Sequence, residues 1–345
     1  MNKNWFKFYP VGQGLFYAGI LSHINFKFVY DCGSETGGVN LPFYINHLRQ
    51  MSDDDTLDFV VISHLHADHF SGVKDLLKVF KVNRFYLPYI CDDKTIRIAI
   101  AACLLSYEEE IVIDDILFIL KLYEDNKTEW NNESDDIATT HDCIIDNNGE
   151  YYWEFDFVSK RISNSQENSF KTHLNSLLAK YKALDVKTLI SMGKLDELRN
   201  LYAKVFGGNL NITSLVMLHR PIHEPPTDII VYEAKNLTAG PIVCKCIQPI
   251  SLLTGDAEFD KNMTNYIESL VGDKTGIIQV PHHGSYSNWD KLNKNLSRTN
   301  TVYLIPCGTK NRYRHPSKKT IAELNGYDYQ KVTEIIGYTY WISII

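Results

Sequence analysis

The sequence predicts an α/β protein with a two-layered sheet core and helices packed outside it. Short runs of β-branched and aromatic residues recur along the chain, and helical patterns fall between some of them in both halves. At 345 residues the chain is long enough to bury a substantial core as a single domain, 1–345, that carries sizeable insertions.

In order, the runs that read as strands are WFKFYP, GLFYAGIL, FKFVYD, DFVVIS, YYWEFDFV, TSLVMLH, DIIVYE, ISLLTG, GIIQVP, TVYLIP and TEIIGYTYWIS. Their Val, Ile, Phe, Tyr and Trp side chains suit a pleated, half-buried surface. Helical spacing falls around 42–51, 71–80, 96–122, 167–206, 260–271 and 316–325. Two regions stand apart as helical insertions. Residues 92–150 join a mostly helical run to the polar loop EDNKTEWNNESDD, and 164–207 is rich in Lys, Leu, Ala and Glu at helical spacing. The second could be a plain structural hairpin or one that caps a site, and either insertion could engage a protein partner.

Composition narrows the class. The chain is 44% hydrophobic and 22% charged, and no run of eighteen apolar residues could span a bilayer. The N-terminus MNKNWFKFYPVGQG lacks a long apolar core and a cleavage site, so the expected location is cytoplasmic, with no membrane partner. Seven scattered cysteines read as reduced thiols. Cys244 and Cys246, two apart in a strand-like stretch, could pack or bind metal, but no second Cys pair completes a structural zinc site. A net charge of −7 argues against coating nucleic acid by overall charge, so any phosphate contact must be local. The segment KNRYRHPSKK, with Lys310, Arg312, Arg314, Lys318 and Lys319, is the local candidate; its bland reading is a solvated loop and helix start.

The chemistry concentrates where apolar runs end. DFVVIS opens into His64, His66, Asp68 and His69, four ligand-type side chains in six residues. Imidazole nitrogen and carboxylate oxygen together suit zinc, manganese or iron. SLLTGDAE ends in Asp256, and GIIQVPHHGS ends in His282 and His283. Alone, Asp256 would be read as a turn or helix cap and the two histidines as a surface loop. Three strand ends bearing donors jointly favour a two-metal site.

HLHADH resembles the HxHxDH signature of the metallo-β-lactamase superfamily. The later TGD and HHGS look like strand-end motifs of the branch that holds ComEC-type competence hydrolase domains and phosphorylcholine esterases. VGQG at 11–14, YDCGS at 30–34, NITSLVML at 211–218 and NRYRHP at 311–316 are similar to further elements of that branch. The resemblance covers most of the chain outside the insertions. It implies a four-layered αββα sandwich with the site at one edge between the sheets. It also implies two divalent ions, Zn2+ or Mn2+: His64 and His66 on the first, Asp68, His69 and His282 on the second, and Asp256 bridging. Many relatives supply a third histidine to the first ion. Here the matching segment offers Asn209, Asn211, Thr213, Ser214 and His219, and His141 is a further option; Asn211 or water is the favoured filler. Asp31 would hold a metal-bound imidazole through its distal N–H, or simply form a turn.

Two divalent ions about 3.5–4 Å apart lower the pKa of a shared water and clamp a developing oxyanion, so hydroxide becomes available near neutral pH. That chemistry serves lactams, lactones, thioesters and phosphodiesters alike. The basic residues Lys310, Arg312 and Arg314 favour a phosphodiester, in nucleic acid or a nucleotide, with Asp68, His283 and His315 as the residues nearest the chemistry. His283 and His315 could donate a proton to the leaving group or bind its oxyanion, and the Pro316 turn would lead into a helix whose N-terminus favours anions. NRFYLPYI could stack a base or be core. The alternatives are a small-molecule ester, lactone or lactam hydrolase, or a metal-bearing module activated by a partner in a defence or regulatory assembly.

Overall fold

The computed structural model describes residues 3–106, 113–126, 128–208, 211, 213–222, 230–234, 243–245, 250–272, 275–289 and 301–343, with backbone alone for 230–234, 243–245 and 343. Within these, two eight-stranded sheets face each other. The first contains β1 (Lys3–Phe8), β2 (Phe16–Leu21), β3 (Phe26–Cys32), β4 (Thr56–Val61), β5 (Lys81–Tyr86), β10 (Ile230–Ala234), β11 (Val243–Lys245) and β16 (Tyr338–Ser343), in the order β11-β10-β16-β1-β2-β3-β4-β5. The second contains β6 (Asn131–Asn132), β7 (Ile137–Ile145), β8 (Tyr151–Lys160), β9 (Leu215–Pro221), β12 (Ile250–Leu253), β13 (Thr275–Gln279), β14 (Val302–Pro306) and β15 (Asp328–Val332). Its order is β15-β14-β13-β12-β9-β8-β7-β6.

Three apolar cores define four layers, the αββα sandwich expected from the sequence. Between the sheets, Phe6, Phe28 and Phe59 meet Trp153, Phe155 and Met217. Phe28 and Phe59 each lie 5.0 Å from the ring of Phe155. Tyr30 crosses the same gap, its hydroxyl donating to the Leu215 carbonyl at 2.7 Å. Each such aromatic ring, fully buried, contributes roughly 1.5–3 kcal/mol. On the outer face of the first sheet lie α1 (Leu41–Gln50), α3 (Val73–Val79), α4 (Lys94–Ser106), α5 (Ile113–Asp125), α6 (Asn164–Tyr181), α7 (Val186–Ser191) and α8 (Leu195–Phe206). The outer face of the second carries α9 (Lys261–Val271) and α10 (Lys318–Leu324) through Met263, Ile267 and Leu324.

The helical reading of 92–150 holds only to Asp125; Ile137–Ile145 is a strand paired along its length with β8. From Thr140 onward its residues alternate between half-buried and exposed, and the stretch THDC is polar, so its pattern resembled a loop. β5 and β15 also escaped the strand list. Both are edge strands, whose unpaired side tolerates the charged residues seen in KVNRFY and DYQKV. The second insertion forms α6, α7 and α8; Ser163 and Gln166 close a capping box at the start of α6. No described helix is long and apolar enough to cross a membrane.

Strand direction positions the chemistry. β3, β4 and β5 run parallel, as do β12, β13, β14 and β15. Asp31 lies near the carboxyl end of β3, His64–His69 follow β4, Asp256 follows β12, His282 and His283 follow β13, and the 307–317 loop follows β14. Carboxyl ends of parallel strands are where open α/β sheets hold ligands.

Candidate metal centre

After β4 the chain stays buried through Ser63 and His64, then turns into the single-turn helix α2 (Ala67–Phe70), which carries Asp68 and His69 inward. Ser63 reaches back to β3. Its N–H donates to Asp31 Oδ1 at 2.6 Å, and its hydroxyl donates to Asp31 Oδ2. The same Oδ2 lies 2.8 Å from His69 Nδ1. A carboxylate so placed accepts the Nδ1 proton and leaves Nε2 as a ligand. That Nε2 faces Asp256 Oδ1 at 3.2 Å and Asp68 Oδ1 at 3.5 Å.

His283 repeats this arrangement from the other sheet. Its Nδ1 donates to the Pro306 carbonyl at 2.8 Å, while Nε2 lies 2.9 Å from Asp68 Oδ2 and 3.7 Å from Asp256 Oδ1. Asp68, His69 and His283 present donor atoms all within 4.8 Å of one another. His282 faces Asp256 Oδ2 at 3.5 Å and is the more exposed of the pair, with 30% of its side chain accessible against 2% for His283. Beside them, His64 Nε2 and His66 Nδ1 are 2.9 Å apart, and His64 Nδ1 lies 3.4 Å from Ser214 Oγ.

Two further groups lock the donors. Gln279, buried on β13, accepts through Oε1 from the N–H groups of Thr254 and Gly255, each at 3.0 Å, and so fixes the turn that delivers Asp256. Asn311 donates to the Gly308 and His315 carbonyls at 2.8 and 2.7 Å and accepts from the His315 N–H at 2.9 Å, closing the loop after β14.

The electrostatics fit a cation. Burial holds the His64 imidazole well below its ordinary pKa and lowers that of His66, leaving both neutral. Burial resists ionisation of Asp68 and Asp256, yet the histidines around them prevail and keep both carboxyls below their usual range. The same acids overcome burial to raise His69 and His283. Buried carboxylates thus draw positive charge onto two histidines, charge that a divalent ion would supply. His66 Nε2, His69 Nε2 and Asp256 Oδ1 are buried without a hydrogen-bond partner, which is costly unless a ligand meets them. His64, His66, Asp68, His69, Asp256, His282 and His283 therefore fit a metal centre.

Residues 22–94 match the family model of the metallo-beta-lactamase superfamily. This stretch holds β3, β4, the His64–His69 loop and β5. The superfamily is generally one of hydrolytic metalloenzymes, and the two-sheet architecture with its buried Asp/His cluster agrees with it. No curated protein matches the chain.

Several expected residues fall elsewhere. His283, expected to donate a proton or bind an oxyanion, has Nδ1 on the Pro306 carbonyl and Nε2 on Asp68, which brings it into the Asp/His cluster itself. His219 is not near the donors: it lies in the inter-sheet core, with Nε2 2.7 Å from the Tyr17 hydroxyl, and burial drives its pKa down to about 3. His141 stands exposed on β7. Asn211 lines the cavity of the site, while Asn209 and Cys246 lie outside the described residues, as does the Cys244 side chain. The aromatics of NRFYLPYI are core and not a base-stacking edge; Tyr86 stacks on Phe157 at 4.0 Å. Arg314 is exposed and no part of the cavity wall, and α10 starts with its first turn capped by Ser317.

The sequence did not point to Glu35, which lines the cavity 3.7 Å from Arg312, or to Ser63 and Gln279. A Gln inside the apolar strand GIIQVP was a readable signal, since a buried amide needs partners. Glu35 sits among polar turn residues and had none.

Asp31 provides a direct check. Asp31→Asn keeps the shape but cannot accept the Nδ1 proton equally well, so metal affinity is expected to fall about 10–100-fold. Metal titration followed by calorimetry measures it.

Proposed function

We propose that this chain is a metal-dependent hydrolase of phosphodiesters, acting on a nucleotide or short oligonucleotide. One observation carries this reading. A cavity of about 940 Å³ is lined by His66, Asp68, Asp256 and His283 and also by Lys310 and Arg312, so the metal donors and two cations open onto one space. Arg312 stands 3.7 Å from Glu35 and 4.8 Å from the Tyr313 ring centroid, which limits the directions it can take. A net charge of −7 disfavours a long polyanion, whereas a short one needs only the local patch. VGQG, YDCGS, TGD, HHGS and NRYRHP support a closer likeness to ComEC-type hydrolase domains within the superfamily.

Divalent ions held by the Asp/His cluster would lower the pKa of a shared water and polarise a phosphoryl oxygen. The other tasks fall to the chain. Arg312 and Lys310 bind and orient the phosphodiester, since charge-assisted hydrogen bonds match its oxygens better than a neutral acyl group. His315 lies 5.5 Å from His282, ring to ring, and burial with the neighbouring His282 and His283 lowers its pKa to about 4. It is neutral at pH 7 and serves as an N–H donor to an oxyanion. The helix α5 contributes Asp115 and Phe118 to the cavity wall, which supports a role for the first insertion, rather than for 164–207, beside the bound phosphodiester.

The test compares bis-p-nitrophenyl phosphate with p-nitrophenyl acetate in zinc or manganese. Arg312→Ala and Lys310→Ala are each expected to raise KM for the phosphodiester about tenfold, equivalent to roughly 1.4 kcal/mol, and to leave the acetate unchanged. Arg314→Ala should change neither. Hydrolysis of the acetate alone would assign the site to acyl substrates; metal binding without either reaction would favour a partner-activated module.

A further inference from the structure

A second group of donors lies on the outer face of β7 and β8, away from the cavity described above. Cross-strand register sets His141 opposite Asp156 and Cys143 opposite Glu154. Because side chains alternate along a strand, all four project on one face, the one that carries Val158 into the outer core beside α9. His141, Cys143 and Glu154 offer ligand atoms within 4.8 Å of one another. His141 Nδ1 is 2.7 Å from Asp156 Oδ1, and its Nε2 is 2.8 Å from Cys143 Sγ.

We propose that His141, Cys143 and Glu154 form a separate metal site that takes one zinc-class ion, with Asp156 orienting the imidazole. Thiolate, imidazole and carboxylate on three protein positions suit zinc or cobalt and poorly suit magnesium or calcium. The site is braced in advance. Arg220 on β9 holds Glu154 through Oε1 and Asp156 through Oδ2 at 3.1 Å, and is itself anchored to the Leu270 carbonyl at 3.0 Å. Arg220 is the competing partner for these acids. Each carboxylate has two oxygens, however, and Arg220 uses the one of Asp156 that His141 does not. His141 and Cys143 are exposed, which leaves an open path for the ion. Binding forms a metal–sulfur bond and releases the Cys143 S–H proton to solvent.

The donors of the first centre include no thiol, so cobalt distinguishes the two. Metal-free, reduced protein is titrated with Co2+ while the near-ultraviolet thiolate-to-cobalt charge-transfer band is recorded. The expected result is a band that, once the cobalt taken up by the first centre is subtracted, saturates at about one ion per chain and disappears in Cys143→Ala. It should require at least about tenfold more cobalt in His141→Asn, and persist in Asp68→Ala. Cys143 is exposed, so its replacement leaves the core intact; Cys143→Ser provides a second variant of matching shape. Absence of the band in the wild type overturns the proposal, as does a band that survives in both Cys143 variants, which would come from another thiol.

Discussion

Replacing Asp68 or His69 with alanine is expected to lower metal-dependent hydrolysis of bis-p-nitrophenyl phosphate by about 10³-fold or more. Asp68 stands between His69 and His283, so its loss removes a donor and the anchor of His283 Nε2 together. His69 is the only described side chain that links Asp31 to the centre through a hydrogen bond, and without it the Asp31–Ser63 brace holds no ligand. The fold should survive Asp68→Ala. Asp68 follows β4 on a single-turn helix and belongs to none of the three apolar cores, so its loss leaves the packing of the sandwich intact. Steady-state rates with elemental analysis check this; variant rates equal to wild type would mean that the hydrolysis arises at another site.

Gly33→Ala is expected to be as damaging to activity, for a different reason. A Cβ at Gly33 would lie 2.5 Å from the Asp68 carbonyl carbon and the His69 nitrogen and 2.6 Å from the Ala67 oxygen. All three are backbone atoms, so no rotamer change relieves the clash. The same layer is knitted by Leu15 N–H donating to the Asp68 carbonyl and Gly33 N–H to the Leu15 carbonyl, both at 3.0 Å. An added methyl must therefore push the ligand loop away from its partners. Overpacking of this kind costs about 1–3 kcal/mol of stability. Urea unfolding and hydrolysis rates measure both effects. Gly37→Ala is the control, because a Cβ there meets nothing within 4 Å. A Gly33→Ala protein with wild-type stability and rate would overturn this account.

This glycine shows how far a one-dimensional pattern reaches. DCGS was legible as a motif, but the reason for its glycine lies in a distant stretch of chain, in the backbone of HLHADH. The donors His64, His66, Asp68 and His69 were legible because strand and ligand are contiguous: an apolar run buries itself and delivers the next few residues to a sheet end. Between His282 and His283 the sequence offers no such guide. Both adopt left-handed backbone, φ 49° and 53°, and the Pro306 carbonyl and Asp68 select which imidazole turns inward. His219 and His141 were equally eligible as further ligands until pairing sent one into the inter-sheet core and the other to the outer face.

The sequence by itself determined the alternation of strands and helices, the chemistry of the donors and the local cationic run. Those features depend on neighbours within a few residues, where hydrophobic period and side-chain type decide the outcome. Tertiary structure alone decided that strands from two different sheets bring Asp31, Asp68, Asp256 and His283 to one point, that Glu35 faces Arg312 across the cavity, and that the edge strands β5 and β15 exist at all. Contacts between residues hundreds of positions apart depend on which sheet faces meet, and burial on those faces leaves no local periodic trace.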